Sequence, residues 1–130
     1  MSYSNGVDLD RLKGEIVSHV DVDKTKQEIL LTMQSGKQYM IFHERDCCET
    51  VEIDRSQDGD GDIVSLIGKR IESVSLDEES QKDPPPSEYS ESWTRTKITF
   101  RTNSETVVSR WIGESNGYYS ESITIAEIFS

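Results

Sequence analysis

The sequence predicts a mainly β domain: an antiparallel sheet curled into a sandwich or partly open barrel, with one or two short helices. Three observations predict it. Apolar residues fall in short alternating runs rather than at helical spacing. Gly, Asn, Asp and Ser punctuate those runs, as turns between strands require. The 130 residues fit a single domain able to bury a core without a disulfide framework.

Residues 8–14 read as one helical turn stopped by Gly14. Residues 15–20 alternate imperfectly, through Ile16, Val17 and Val20. In residues 28–34, Ile29, Leu31 and Met33 share one side and Leu30 and Thr32 the other. Ser35-Gly36-Lys37 is a short Gly connection, after which Tyr39, Met40, Ile41 and Phe42 resume, a hairpin signal. Residues 50–54 set Val51 and Ile53 on one face, and residues 63–67 read as a second helical turn ending at Gly68. Residues 70–76 alternate through Ile71, Val74 and Leu76. Acidic residues and Pro84-Pro85-Pro86 fill residues 77–90 without periodicity, which predicts a flexible, extended loop. Residues 93–101 set Trp93, Arg95, Lys97, Thr99 and Arg101 against Thr94, Thr96, Ile98 and Phe100. Residues 106–112 carry Val107, Val108, Trp111 and Ile112, residues 113–119 are an irregular Gly/Asn stretch, and Ile123, Ile125 and Ile128 close the chain. The expectation is seven or eight strands in one domain, with 1–13 as an N-terminal segment.

Charge narrows the partners. Twenty-five Asp and Glu against 14 Lys and Arg leave a formal charge of −11. Such a field keeps a protein soluble; it also repels nucleic acid and anionic membrane and steers toward basic surfaces. A protein partner with a basic surface is expected, without direct nucleic-acid or membrane binding. No apolar run approaches the roughly 18 residues of a transmembrane helix. Residues 1–10 lack the basic and apolar regions of a secretory signal. The only cysteines, Cys47 and Cys48, are adjacent and supply no long-range bridge. A cytoplasmic setting is the expectation.

Three segments concentrate chemistry. In His43-Glu44-Arg45-Asp46-Cys47-Cys48-Glu49 an imidazole and two thiols lie close together, the ligands zinc prefers. With His19 from an earlier strand, a zinc site of His19, His43, Cys47 and Cys48 is one reading. It needs a bend, since neighbouring side chains on a strand point apart. The other reading is a pair of core cysteines acting as small hydrophobes. Three carboxylates in the segment work against a nucleophilic thiolate. Asp58-Gly59-Asp60-Gly61-Asp62 has the spacing that opens a calcium loop but lacks its distal Glu, so a solvated turn is expected. Trp111 to Glu121 combines aromatic residues with Gly, Asn and Ser, the composition of protein-binding loops and equally of a hairpin with aromatics packed inward. Candidate partner-binding residues are Glu114, Asn116, Tyr118, Tyr119 and Glu121, with Asp77, Glu78 and Glu79 from the acidic stretch. No catalytic triad, P-loop or dinucleotide fingerprint is present, so no catalytic residue is assigned.

Four strings stand in one order between residues 39 and 125: His43-Glu44-Arg45-Asp46-Cys47-Cys48-Glu49-Thr50-Val51, Leu66-Ile67-Gly68-Lys69-Arg70-Ile71, Glu91-Ser92-Trp93-Thr94, and Arg110-Trp111-Ile112-Gly113-Glu114-Ser115-Asn116-Gly117-Tyr118-Tyr119-Ser120-Glu121-Ser122. In these the chain resembles a small uncharacterised domain found in phages and prophages. The resemblance implies a phage-encoded accessory protein acting inside the bacterial host, with anti-CRISPR inhibitors of Cas9 as the nearest functional class. The leading expectation is a non-catalytic inhibitor that binds a Cas effector, Cas9 first, and blocks DNA loading, with any zinc in a structural role. One alternative is a phage sponge for a nucleotide second messenger; Arg95, Lys97, Arg101 and Arg110 would supply its basic pocket. Another is a small metal-dependent hydrolase, with His19, His43 and one cysteine as the three protein ligands of a catalytic zinc.

Overall fold

A computed structural model describes residues 2–3, 9–25, 27–44, 49–53, 63–80, 91–115 and 121–129. Among them are nine strands: β1 (Ser2–Tyr3), β2 (Val17–Val22), β3 (Glu28–Met33), β4 (Gln38–Phe42), β5 (Thr50–Ile53), β6 (Ile71–Ser80), β7 (Ser92–Thr102), β8 (Thr106–Ser115) and β9 (Thr124–Phe129). Two single 3-10 turns, Leu9–Leu12 and Ile63–Leu66, are the helical structure among these residues. The strands form two antiparallel sheets, β1-β9-β4-β3-β2 and β5-β8-β7-β6. The mainly β prediction holds, and the architecture is a sandwich.

The alternation seen in the sequence is what builds it. Side chains on a strand point alternately to opposite faces, so Ile29, Leu31 and Met33 of β3 and Tyr39 and Ile41 of β4 enter one interior face. Thr94, Thr96, Ile98 and Phe100 of β7 and Val107, Ser109 and Trp111 of β8 enter the facing one. The Trp111 indole N–H donates to Ser109 Oγ at 3.1 Å, so two buried polar groups satisfy each other inside the core. Leu12 and Leu66, one from each 3-10 turn, are completely buried in the same cluster. Gly36 turns the β3–β4 hairpin at φ +95°, and Gly68 stops the second 3-10 turn at φ +85°; side-chain-bearing residues rarely adopt that left-handed backbone.

One flank of the sandwich is stitched. Val17 N–H donates to Lys69 O at 3.0 Å, Gly68 N–H to Val17 O at 2.7 Å, Gly14 N–H to Ile71 O at 2.7 Å and Ile71 N–H to Glu15 O at 2.9 Å. These bonds, with the Ile16–Arg70 bridge, carry the chain from the edge of one sheet onto the edge of the other.

Several boundaries differ from the sequence reading. The strand expected to end at Leu76 runs on to Ser80, so Asp77, Glu78 and Glu79 are strand residues paired with β7 rather than the start of a loop. A strand end whose side chains are exposed and charged carries no apolar alternation signal. β8 likewise continues through Gly113, Glu114 and Ser115, which were expected in an irregular stretch. The first segment is part of the fold: Ser2 and Tyr3 pair with Phe129 and Ile128. The rest of the proline-rich loop, residues 81–90, lies outside the described residues.

Candidate functional site

The two sheets meet at a polar junction. His43 follows β4, Glu49 precedes β5, and Glu121 and Ser122 lead into β9. Because Phe42 pairs with Thr124, the chains leaving β4 and entering β9 emerge side by side. His43 Nδ1 lies 2.7 Å from the Ser122 carbonyl oxygen. That oxygen only accepts, so the ring carries a proton on Nδ1 and donates it. His43 Nε2 faces Glu49 Oε2 at 3.3 Å, with side chains 6% and 0% exposed. Gln27, Glu28, Phe42, His43, Glu49, Thr50 and Val51 line a cavity of about 180 Å³ beside them.

A second node is built on Gly113. Glu121 sits directly against it, and a Cβ at position 113 would lie 2.9 Å from Glu121 Cβ and 3.1 Å from Val51 Cγ2. Glu121 Oε1 accepts from Thr94 Oγ1 at 2.6 Å, and Oε2 accepts from Ser115 Oγ at 2.5 Å. The Thr94 and Ser80 hydroxyls are 3.1 Å apart, so a hydrogen-bonded chain runs from β6 across β7 to Glu121 and β8. Glu121 is 7% exposed. Sequence reasoning placed it on the partner-facing surface; the structure puts its carboxylate inside, where two hydroxyls hold it.

The other predicted residues divide. Glu114 is half-buried on the outer face of β8, between Thr50 and Trp93 in register. Asp77, Glu78 and Glu79 are exposed on β6, the edge strand of its sheet, and Ser122 Oγ donates to Glu78 Oε2 at 3.3 Å. His19 does not join His43. It is exposed on β2, with Nδ1 3.1 Å from its neighbour's carbonyl, Ser18 O, and pairs through Thr32 with Gln38. Strand rise and spacing put it roughly 15–20 Å from His43. The ligand set containing both histidines, and the three-ligand hydrolase built on it, are therefore not assembled by this fold. Cys47, Cys48, Asn116, Tyr118, Tyr119 and the Asp58–Asp62 run lie outside the described residues, among which no group of three or more potential metal ligands occurs.

The cations named in the sequence do come together. Arg95, Lys97 and Arg101 alternate with the buried residues of β7 and so share the outer face of its sheet. Lys97 stands between Arg110 of β8 and Asp77 of β6, and Arg95 between Ile112 and Glu79. At the opposite end of the molecule Tyr39 is buried, its hydroxyl without a hydrogen-bond partner among the described residues. Burial first, then the negative charges of Glu127 and Glu15, raise its pKa, while Arg11 opposes them; Arg11 pairs with Glu127 at 3.1 Å.

The junction explains strings that looked like loop signatures. Glu49, Thr94, Gly113, Ser115 and Ser122 all lie in those strings but were given no role, because in a chain with 25 carboxylates nothing local marks which are buried or which hydroxyls they meet. Among the described residues no helix is long and apolar enough to cross a membrane. A family model described as a domain of unknown function, DUF7448, matches residues 10–125. No curated protein and no solved structure matches the chain.

Proposed function

We propose that this chain, which belongs to the DUF7448 family, works by stoichiometric binding, docking a rigid acidic edge onto the basic surface of a partner protein. The observation that carries the reading is β6. It pairs along its length with β7; its other edge is bonded at Ile71 to Gly14 and Glu15, but beyond that no strand pairs with it among the described residues, and Asp77, Glu78 and Glu79 stand exposed on it. Strand edges are where proteins add partners, and charge there selects against indiscriminate pairing. A protein of formal charge −11 is drawn to cationic channels that normally hold nucleic acid. A Cas effector, Cas9 first, is the partner class that combines such a channel with the phage context of the sequence resemblance; the chain would block DNA loading. The test mixes the chain with guide-loaded Cas9 and measures target-DNA binding. Loss of binding at stoichiometric inhibitor supports the reading, and undiminished binding at large excess opposes it.

A second reading rests on a different observation, the shared outer face of Arg95, Lys97, Arg101 and Arg110. Lys97 stands opposite Arg110 on one side and Asp77 on the other, so an anionic ligand laid across Lys97 and Arg110 would meet two positive charges. A nucleotide second messenger is the ligand of this reading. Native mass spectrometry of the chain mixed with cyclic nucleotides tests it: a retained nucleotide supports the sponge, and its absence at saturating ligand opposes it.

A further inference from the structure

We propose that the outer face of the β1-β9-β4-β3-β2 sheet docks a basic amphipathic helix of another protein. β3, β4 and β9 are apolar on both sides. Ile29, Leu31, Tyr39, Ile41 and Ile125 point into the sandwich. Their neighbours in sequence point away from it, and the register sets Leu30 beside Met40 and Met40 beside Ala126. Phe42 and Ile128 stand two residues to either side of that row. None of these five belongs to the core cluster or to the side chains packed on it, and Leu30 and Met40 remain partly open to solvent. A sheet with one wet face alternates apolar with polar, whereas strands apolar on both sides are the pattern of a sheet covered on both.

Charge selects what covers it. The strand residues that share this face include no Lys or Arg. Asp21 stands beside Leu30 at one end of the row, and Glu28 beside Phe42. Both carboxylates are exposed, and neither takes part in the ion pairs among the described residues. An apolar row bordered by unpaired carboxylates matches a helix with one apolar stripe and Lys or Arg beside it. The width agrees. Strands stand about 4.8 Å apart, so a row of three is about 10 Å across, the breadth of one α-helix. A second copy of this chain brings a formal charge of −11 and the same cation-free face, and an anionic membrane is negative as well, so both bring the wrong sign. The surface lies on the other sheet from β6 and stands or falls apart from the acidic edge proposed above.

The probe is a fluorescent Leu–Lys peptide of about 18 residues, patterned as an amphipathic helix. It is titrated with the full chain and followed by anisotropy. The wild-type chain should bind it. Leu30→Ser with Met40→Ser leaves the charge unchanged and should weaken binding at least about tenfold. Asp21→Asn with Glu28→Gln should weaken it more than Asp77→Asn with Glu79→Gln, which removes the same charge from the other sheet. Where the serine pair fails to fold by its melting curve, the comparison of the two neutralised pairs decides. Wild-type affinity in a folded serine pair, or equal weakening by the two neutralised pairs, overturns the proposal, as does a wild-type chain that binds no peptide. A wild-type chain that sediments as a dimer, and as a monomer once the serine pair is introduced, also overturns it, because a second copy then occupies the face.

Discussion

Gly113 and Glu121 are in contact: a methyl group in place of the glycine hydrogen would come within 2.9 Å of Glu121 Cβ and 3.1 Å of the Glu121 carbonyl oxygen. A backbone atom on one side and Val51 on another leave little room to yield. Gly113→Ala is therefore expected to destabilise the fold by about 1–3 kcal/mol, the usual range for overpacking, readable as a lower denaturation midpoint with an unchanged slope. An unchanged midpoint would show that Glu121 does not sit against β8.

Glu121 itself is the acceptor for Thr94 and Ser115. Glu121→Ala leaves hydroxyls that have lost their acceptor, at a cost of about 1–3 kcal/mol, and opens a gap above Gly113. Glu121→Gln keeps one acceptor oxygen and should cost less. The ordering Ala worse than Gln worse than wild type, measured by urea unfolding, checks the network; equal stability of all three contradicts it.

Tyr39 supplies a pH dependence. Its folded-state pKa is raised from 10.0, with burial the largest cause. The unfolded phenol therefore loses its proton first. The stability associated with Tyr39 is intact below about pH 10 and falls as pH rises through that value toward the folded-state pKa. Tyr39→Phe should flatten this alkaline loss. At neutral pH it should leave stability unchanged or raise it by about 1 kcal/mol, because the hydroxyl it removes has no hydrogen-bond partner among the described residues. Unfolding curves at a series of alkaline pH values compare the two chains, and parallel losses in both would count against the assignment.

Much of the fold was legible because burial follows alternation. β3 and β7 show their inner faces directly as Ile29, Leu31, Met33 and as Thr94, Thr96, Ile98, Phe100, and Gly36 and Gly68 mark by residue type the β3–β4 turn and the end of the second 3-10 turn. The last residues of β6 were not legible, since Asp77, Glu78 and Glu79 pair by backbone while their side chains follow no apolar pattern. The junction was half legible. His43 stood out as one of only two histidines, but its partners are common residue types: Glu49, six residues on at the entry to β5, and Ser122, at the entry to β9. The pairing of His19 with His43 failed because sequence proximity of strands says nothing of register: the two histidines sit at opposite ends of their sheet.

The cationic outer face offers its own check. If Lys97 and Arg110 hold an anion, Lys97→Ala with Arg110→Ala should abolish nucleotide retention in a chain that is still folded by its melting curve. Retention unchanged in the double variant would place the anion elsewhere.

The most direct measurement is complex formation with guide-loaded Cas9 at rising ionic strength, comparing the wild-type chain with one carrying Asp77→Lys, Glu78→Lys and Glu79→Lys. The wild type should bind at low salt and weaken steadily as salt screens the acidic edge, while the charge-reversed chain, folded by its melting curve, should not bind. Equal binding by the two chains, or affinity indifferent to salt, would contradict recognition through the edge of β6.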